Sequence, residues 1–556
     1  MNTHGERDDL RAELLRRRLA RPGSGGARRS GPSRADRTGP LRLSQGQRQM
    51  WFLNRLEPDS PEYLVPVALH LRGPLDTAAL GRAWQALLDR HEVLRTRYEL
   101  LGDEPAQLID PVRPVELLLE DLSAVPAAER PAAVRERIAR ARAHPVDLER
   151  EWPIRGRLLR CSDEEHVLIV VVHHIACDAW SAHLFAEDIS ALYAAGPGEQ
   201  ALEPLPYQYA DYAAWEAEQI AAPAGARHLD HWRAQLAGLT PLDLPTDRPR
   251  PAVRDASGGS VARPLAPRLA EAVRELATAR GTTPFTVLLT AFQALLARYT
   301  GADDIAVGTL LSARTRSEWQ RLFGYGINSV VLRARLDGDP AFEDLLSATR
   351  ATVLDAFDHQ GVPFQRLVTE LEPERDRSRT PLFQVLFTLR EDNDDDYRLP
   401  GVTMTALPPA DPPARFDLSL VVNAGREGAL SARLEYATAL FDRTTAERML
   451  THFTRLLESA VASPATRVSA LEMLGADERA LLEGGPAKRD PVERRVHELF
   501  EAQAARTPDA VAVSCAGTDL TYAELNARAN RVAHLLRGMG VGPEDLVGLC
   551  LERDGE

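Results

Sequence analysis

Between Ile154 and Gly196 the spacing of apolar positions changes twice. "IRGRLLRCS" alternates with charge, "HVLIVVVHH" is apolar without a break from Val167 to Val172, and "AWSAHLFAEDISALYAAG" sets its apolar residues three and four apart. Alternation marks a half-buried strand, a short unbroken run marks a strand covered on both faces, and the three-four spacing marks a helix with one apolar stripe. The stretch therefore predicts a hairpin turning at 162–165, a central second arm, and a helix capped by Asp178 or Ser181 and stopped at Gly196. His173 and His174 fall where the buried strand ends.

The same two periods recur on either side. "TAALGRAWQALLDRHEVLRTRYEL" predicts a helix running into a strand, and "PAAVRERIARARAHPVDLER" another helix. Farther on, "LAEAVRELATARGTTPFTVLLTAFQALLARYTG" reads as two helices, "DIAVGTLLSAR" and "INSVVLRARL" as strands, and "FEDLLSATRATVLDAFDHQ" as a helix. A hairpin in "RFDLSLVVNAGREGALSARLEYATALF" and a helix in "TTAERMLTHFTRLLESAVASP" close this part. Two mixed α/β stretches of similar size result, 41–220 and 221–474. Ahead of them, "RDDLRAELLRRRLA" carries a short apolar stripe and is followed by an Arg/Gly/Ser/Pro tail that cannot bury a core, so 1–40 is expected to be a helix plus linker. After them the pattern lapses into charge, Gly and Pro over 475–495, a second linker, and a new unit starts at 496–556.

Composition narrows the class of protein. A chain of 556 residues is too long for one ordinary core. No apolar run approaches the roughly 20 residues of a membrane span, and the amino terminus lacks the apolar middle of a secretory signal, so a cytoplasmic protein is expected. Cys161, Cys177, Cys515 and Cys550 have neither paired nor metal-type spacing, which fits reduced thiols. A formal charge of -14 weighs against nucleic acid as a partner. A small or carrier-borne substrate fits better.

The chemistry-bearing pattern is H-H-x-x-x-D over His173, His174 and Asp178. Imidazole exchanges a proton near neutral pH, and a strand end limits its motion, which suits acid/base or orienting work. The competing reading is a pair of rings satisfied inside the core. His173, His174, Asp178 and His183 could supply metal ligands, but neighbouring strand residues point to opposite faces, and no metal is expected. Ser181 lacks the G-x-S-x-G surroundings of a nucleophilic serine.

"HHIACDAWS" resembles the signature of the condensation domains of non-ribosomal peptide synthetases. Six further stretches follow that family's order: "LSQGQRQMWFLNRLEPDSPEY" from Leu43, "RHEVLRTRY" from Arg90, "YADYAAWE" from Tyr209, "FGYGINSVVLR" from Phe323, "HQGVPFQRLV" from His359 and "RDRSRTPLFQVLF" from Arg375. "LTYAELN" near Leu520 resembles the first motif of an adenylation domain, and the chain ends before that family's phosphate-binding loop, which implies a longer synthetase.

The resemblance implies an α/β fold (an α+β sandwich) of two chloramphenicol acetyltransferase-like lobes, an N-lobe over 41–220 and a C-lobe over 221–474, in a V-shaped pseudo-dimer with a central tunnel. It implies amide formation between an upstream carrier-bound aminoacyl or peptidyl thioester of L configuration and a downstream carrier-bound amine. The substrates ride on phosphopantetheine arms, and no tightly bound cofactor is implied. His174 takes the catalytic position. His173, Asp178, Ala179, Trp180 and Ser181 support it, with Arg95 the expected ion-pair partner of Asp178. Tyr325, Gly326 and Asn328 are expected to line the tunnel. Ala179 stands where the family usually has Gly, Gly326 where an aromatic is common, and Gly361 and Gln365 where acids are common, which suggests a different acceptor pocket or a modifying activity such as dehydration of carrier-bound Ser or Thr. A domain that only docks carriers is the remaining alternative. Heterocyclisation is excluded, because that subtype replaces the histidines with aspartates. With Met1 as the natural start, the donor carrier would arrive on another polypeptide through the amino-terminal helix. The acceptor carrier would belong to the same module, with no membrane involved.

Overall fold

The structure is a computed structural model, and it describes residues 32–371, 376–391, 398–407, 413–425, 428–482, 495–515, 518–542 and 545–548. The helix expected over 7–20 lies outside the described residues. The chain divides into two compact units, Met1–Leu474 and Gly475–Glu556.

The first unit is built on two six-stranded sheets. In one, the unbroken apolar run forms Glu165–His173, paired antiparallel with Leu64–Arg72 on one side and Ile154–Ser162 on the other. The hairpin turns where alternation gave way to charge, and every residue from His166 to His173 is buried. That burial explains the missing alternation, because neither face meets water. The helix Ala179–Ala194 follows, with Asp178 as its N-cap and Ala195 as its C-cap.

The second sheet runs in the order 327–335, 304–312, 385–391, 418–424, 430–437 and 258–264, with 385–391 parallel to both neighbours. The helix Pro284–Thr300 is almost wholly buried from Pro284 to Leu296, and Gly301, in the left-handed region at φ 69°, closes it. The helices Phe342–Asp358 and Arg443–Ala462 complete this layer.

Two segments break the division at 220/221. Val402–Leu407 pairs with Leu64–Arg72 and so extends the first sheet rather than the second. Trp319, Leu322 and Phe323 also join the first core, where the Trp319 ring meets Tyr212 and Trp215 and the Phe323 ring meets His91. A linear boundary misses this because a strand's period reports its burial, not which sheet it joins.

In the second unit, the hairpin Val511–Cys515 and Thr518–Thr521 leads into the helix Tyr522–Gly538, started by a capping box between Thr521 and Glu524. Among the described residues no helix is long and apolar enough to cross a membrane.

Candidate active site

The end of the histidine strand is fixed through its backbone. His173 N–H donates to Pro153 O at 2.7 Å and His174 N–H to Tyr63 O at 2.8 Å, and the chain then tightens into a 3-10 turn over His174–Ala176. His173 Nδ1 accepts from Ile175 N–H at 3.1 Å, so this ring stabilises the turn. It is 2% exposed, and burial, reinforced by His174, lowers its pKa to about 3.

His174 makes a different pair of contacts. Its Nδ1 lies 2.8 Å from Cys177 O. A carbonyl can only accept, so Nδ1 carries the proton and Nε2 presents the lone pair of the neutral ring. At Nε2, 3.0 Å away, stands Arg415 Nη1. Protonating Nε2 would set two donors against each other in a site only 7% exposed. Burial first, and then the Arg415 charge, lower the His174 pKa to about 4. The Tyr325 ring meets the imidazole edge to face at 5.7 Å, and burial pushes its phenol up to about 12.

Asp178 faces away from this chemistry. Oδ1 accepts from Ser181 N–H at 2.8 Å, which caps the helix, and Oδ2 accepts from Gly326 N–H at 2.9 Å. Arg314 grips both oxygens, Nη1 to Oδ2 at 2.6 Å and Nη2 to Oδ1 at 3.2 Å, with both side chains 2% exposed. Nε also donates to Leu322 O at 3.0 Å and Nη2 to Gly324 O at 2.8 Å. A buried ion pair this fully hydrogen-bonded is a structural tie. Arg95 is therefore not its partner: its guanidinium donates to Asp110 O. Arg95 lies closer in sequence and inside a family stretch, yet the loop 313–326 is what folds onto the helix start.

The other expected residues divide between scaffold and surface. Ser181 Oγ sits between Asp178 Oδ1 and Gly324 O and accepts from Gly324 N–H at 3.0 Å. Trp180 Nε1 donates to Gln320 O at 2.8 Å. Ala179 is exposed at the first residue of the helix. Gly326 packs on the ion pair, and a Cβ there would overlap Arg314 Nη1. Gly324 has φ +147°, and any side chain would enter the Tyr209 ring. Asn328 spends its amide on one loop: Nδ2 donates to Gln360 O and Val362 O at 2.9 Å each, and Oδ1 accepts from Phe364 N–H at 3.0 Å. Gln365 donates to Gln49, joining the helices Phe364–Leu371 and Gln45–Leu56.

Residues 38–483 match the condensation-domain family, and residues 500–556 match the AMP-binding enzyme family. The chain belongs to the condensation-domain family of non-ribosomal peptide synthetases. It is 38% identical over 543 residues to chondramide synthase cmdD of Chondromyces crocatus, covering 96% of this chain and 14% of that protein. It is 39% identical over 530 residues to the phosphinothricin tripeptide synthetase PhsC of Streptomyces viridochromogenes, covering 94% and 48%. The chain thus spans less than half the length of these relatives. Among solved structures it is similar to the X-domain from teicoplanin biosynthesis, at TM-score 0.72 and 30% identity over 79% of this chain and 99% of that one. The first condensation domain of the calcium-dependent antibiotic synthetase shares the fold, at TM-score 0.65, 21% identity, 79% and 100%.

Condensation domains work with carrier proteins, which bear phosphopantetheine, and the family is of transferase type. Within this condensation domain, Arg314 and Arg415 are the site residues that the sequence reading missed. Arg314 lies nine residues before Phe323 of a recognised stretch, and its burial was the signal lacking. Arg415 opens "RFDLSLVV", which alternates as a strand and shows nothing of where its first side chain reaches.

Proposed function

We propose that this condensation domain forms an amide between a carrier-borne acyl thioester and the free amine of a second carrier-borne aminoacyl group. The observation that carries this reading is the fixed tautomer of His174, whose Nδ1 is committed to Cys177 O, so that Nε2, faced by Arg415 Nη1 in the resting site, is the ring atom that can take a substrate proton. The amine nitrogen attacks the thioester carbon, and the π pair moves to oxygen. Nε2 accepts the proton that the nitrogen now holds in excess. The C–S bond then breaks, and the proton passes to the departing thiolate, leaving an amide on the acceptor arm. In the resting geometry an imidazole with pKa about 4 is a weak base toward an α-ammonium group of about 7.7–8.0, so orienting the amine is the larger part of its work. The acceptor carrier belongs to the same module as this domain and the donor carrier to the one upstream, and the reaction takes place in the cytoplasm.

The test supplies loaded donor and acceptor carriers to wild type and His174→Ala. Product formation should fall by about 100-fold or more, and mass spectrometry should show the amide rather than a dehydrated residue. Equal product from both proteins refutes the assignment. A docking role is the second reading, favoured by similarity to the teicoplanin X-domain, which has been solved in a complex with OxyB. It predicts no product from either protein together with undiminished carrier binding.

A further inference from the structure

Arg415 stands out because its side chain leaves the segment that leads into the second sheet and ends on the catalytic imidazole of the first. Its backbone is held on both sides: Ala414 N–H donates to Ala256 O at 2.9 Å, and Asp417 N–H donates to Gln384 O at 2.9 Å. The Asp417 carboxylate is gripped by Arg250, and the Phe416 ring stacks on Phe383 at 5.2 Å. The guanidinium therefore projects from a rigid base. Beyond His174 it meets the face of Tyr63 at 6.0 Å and Glu62 O at 3.5 Å. The Glu62 carboxylate is taken by Arg254 at 2.6 Å, and among the described residues no carboxylate lies within ion-pair distance of Arg415. A cation held on a rigid segment and left uncompensated beside a reacting atom has charge to give to an anion that forms there.

We propose that Arg415 is a catalytic residue of the condensation site: in the empty site it donates to His174 Nε2 and keeps that lone pair in place, and when the acceptor amine takes over Nε2 the guanidinium turns to the thioester oxygen and stabilises the oxyanion. This deepens the amide-forming reading and rests on it. The electron pair that reaches oxygen during attack becomes a full negative charge, and Arg415 meets it without gaining or losing a proton, since guanidinium stays charged. The proton of the attacking amine still travels through Nε2 to the leaving thiolate. The same contact accounts for the low basicity of the resting imidazole, after burial. The other groups around that ring are His173 on its strand, Cys177 and Asp178 ahead of the helix, and Tyr325 from the loop. Arg314 already neutralises Asp178, so Arg415 is the group whose removal changes the field at Nε2.

The test reads His174 directly. In protein labelled at histidine Cε1, with the His174 signal assigned by its absence from His174→Gln, the titration is followed by NMR without substrates. Arg415→Ala and Arg415→Gln should move it upward by about one unit or more, and Arg415→Lys should restore most of the wild-type value. With loaded carriers, Arg415→Ala should lower kcat by about 100-fold and move the acid limb of the rate profile upward together with the imidazole, while KM for both carriers stays nearly constant. An unchanged His174 titration in folded Arg415→Ala and Arg415→Gln overturns the contact. A moved titration with undiminished kcat overturns the oxyanion role. If wild type makes no amide at all, the reading of the reaction fails, while the titration still decides what Arg415 does to His174.

Discussion

His173 and His174 are both buried and neutral, and this has a cost that depends on pH. Each has a folded pKa below the ordinary value near 6.5, about 3 for His173 and about 4 for His174, with burial the leading cause. As pH falls through about 6.5 the unfolded chain takes up these protons first, so their stabilising contribution is complete above that pH and is lost progressively toward about 4. His359, lowered to about 4 by burial and its histidine neighbours, acts in the same direction. Glu216, raised to about 7 by burial, acts in the opposite sense and weakens the fold as pH rises from its unfolded value toward 7. The histidines outnumber it. Urea unfolding measured from pH 7.5 to 5 should show declining stability, and His174→Asn should reduce the slope by about 1.4 kcal/mol per pH unit, the value of one proton. An identical slope in that variant would show that His174 titrates in the fold as it does in the unfolded chain. The two histidines were legible in the sequence because the strand ahead of them was. Their division of labour came from the family resemblance alone, and its physical cause was not legible, because it depends on the partner of each ring: the backbone N–H of Ile175 for one, Arg415 for the other.

At the scale of elements, the active site rests on a tie between the start of the helix Ala179–Ala194 and the loop 313–326. Asp178 caps that helix, one of the two candidates, with Ser181, that the start of the apolar stripe offered. The same carboxylate holds Arg314 and Gly326 N–H, 136 and 148 residues away. Contacts at that separation leave no period in the chain, and the family resemblance points to Arg95 instead. Gly326 follows from the same geometry: a larger residue would push Arg314 off the aspartate, so its departure from the family's usual aromatic belongs to the ion pair. Breaking one half of a buried pair leaves the other charge unpaired, which costs about 3–5 kcal/mol. Asp178→Ala and Arg314→Met should each show a loss of that size in denaturant unfolding, and the double variant should lose less than their sum, because no lone charge then remains. Strict additivity would mean that the two side chains do not interact in solution.

Across the whole first unit, the two similar halves are exchanged at their boundary rather than simply joined. The strand Val402–Leu407 lies beside Leu64–Arg72, in register from Thr403 opposite Arg72 to Leu407 opposite Ala68. Trp319, wholly buried, and Phe323 fill the core beneath the first sheet. Residues 41–221 by themselves would therefore carry an open strand edge where Val402–Leu407 belongs, a cavity in place of an indole, and an Asp178 without Arg314. An exposed apolar edge strand is a template for aggregation, and losing a buried Trp or Phe from a core costs about 3–5 kcal/mol. Against the marginal stability of a domain, about 5–15 kcal/mol, these losses together are enough to unfold the fragment. Expressed alone, 41–221 should be insoluble or lack near-ultraviolet circular dichroism, whereas 32–474 should unfold in one transition that tryptophan fluorescence and far-ultraviolet circular dichroism report at the same midpoint. A fragment 41–221 that folds cooperatively, or separate midpoints in 32–474, would mean that the first sheet is stable without its borrowed strand. The coupling also bears on catalysis. His174 comes from one sheet, and Arg415 and Tyr325 from segments bordering the other, so the imidazole and the groups that tune it come together only when both halves are folded.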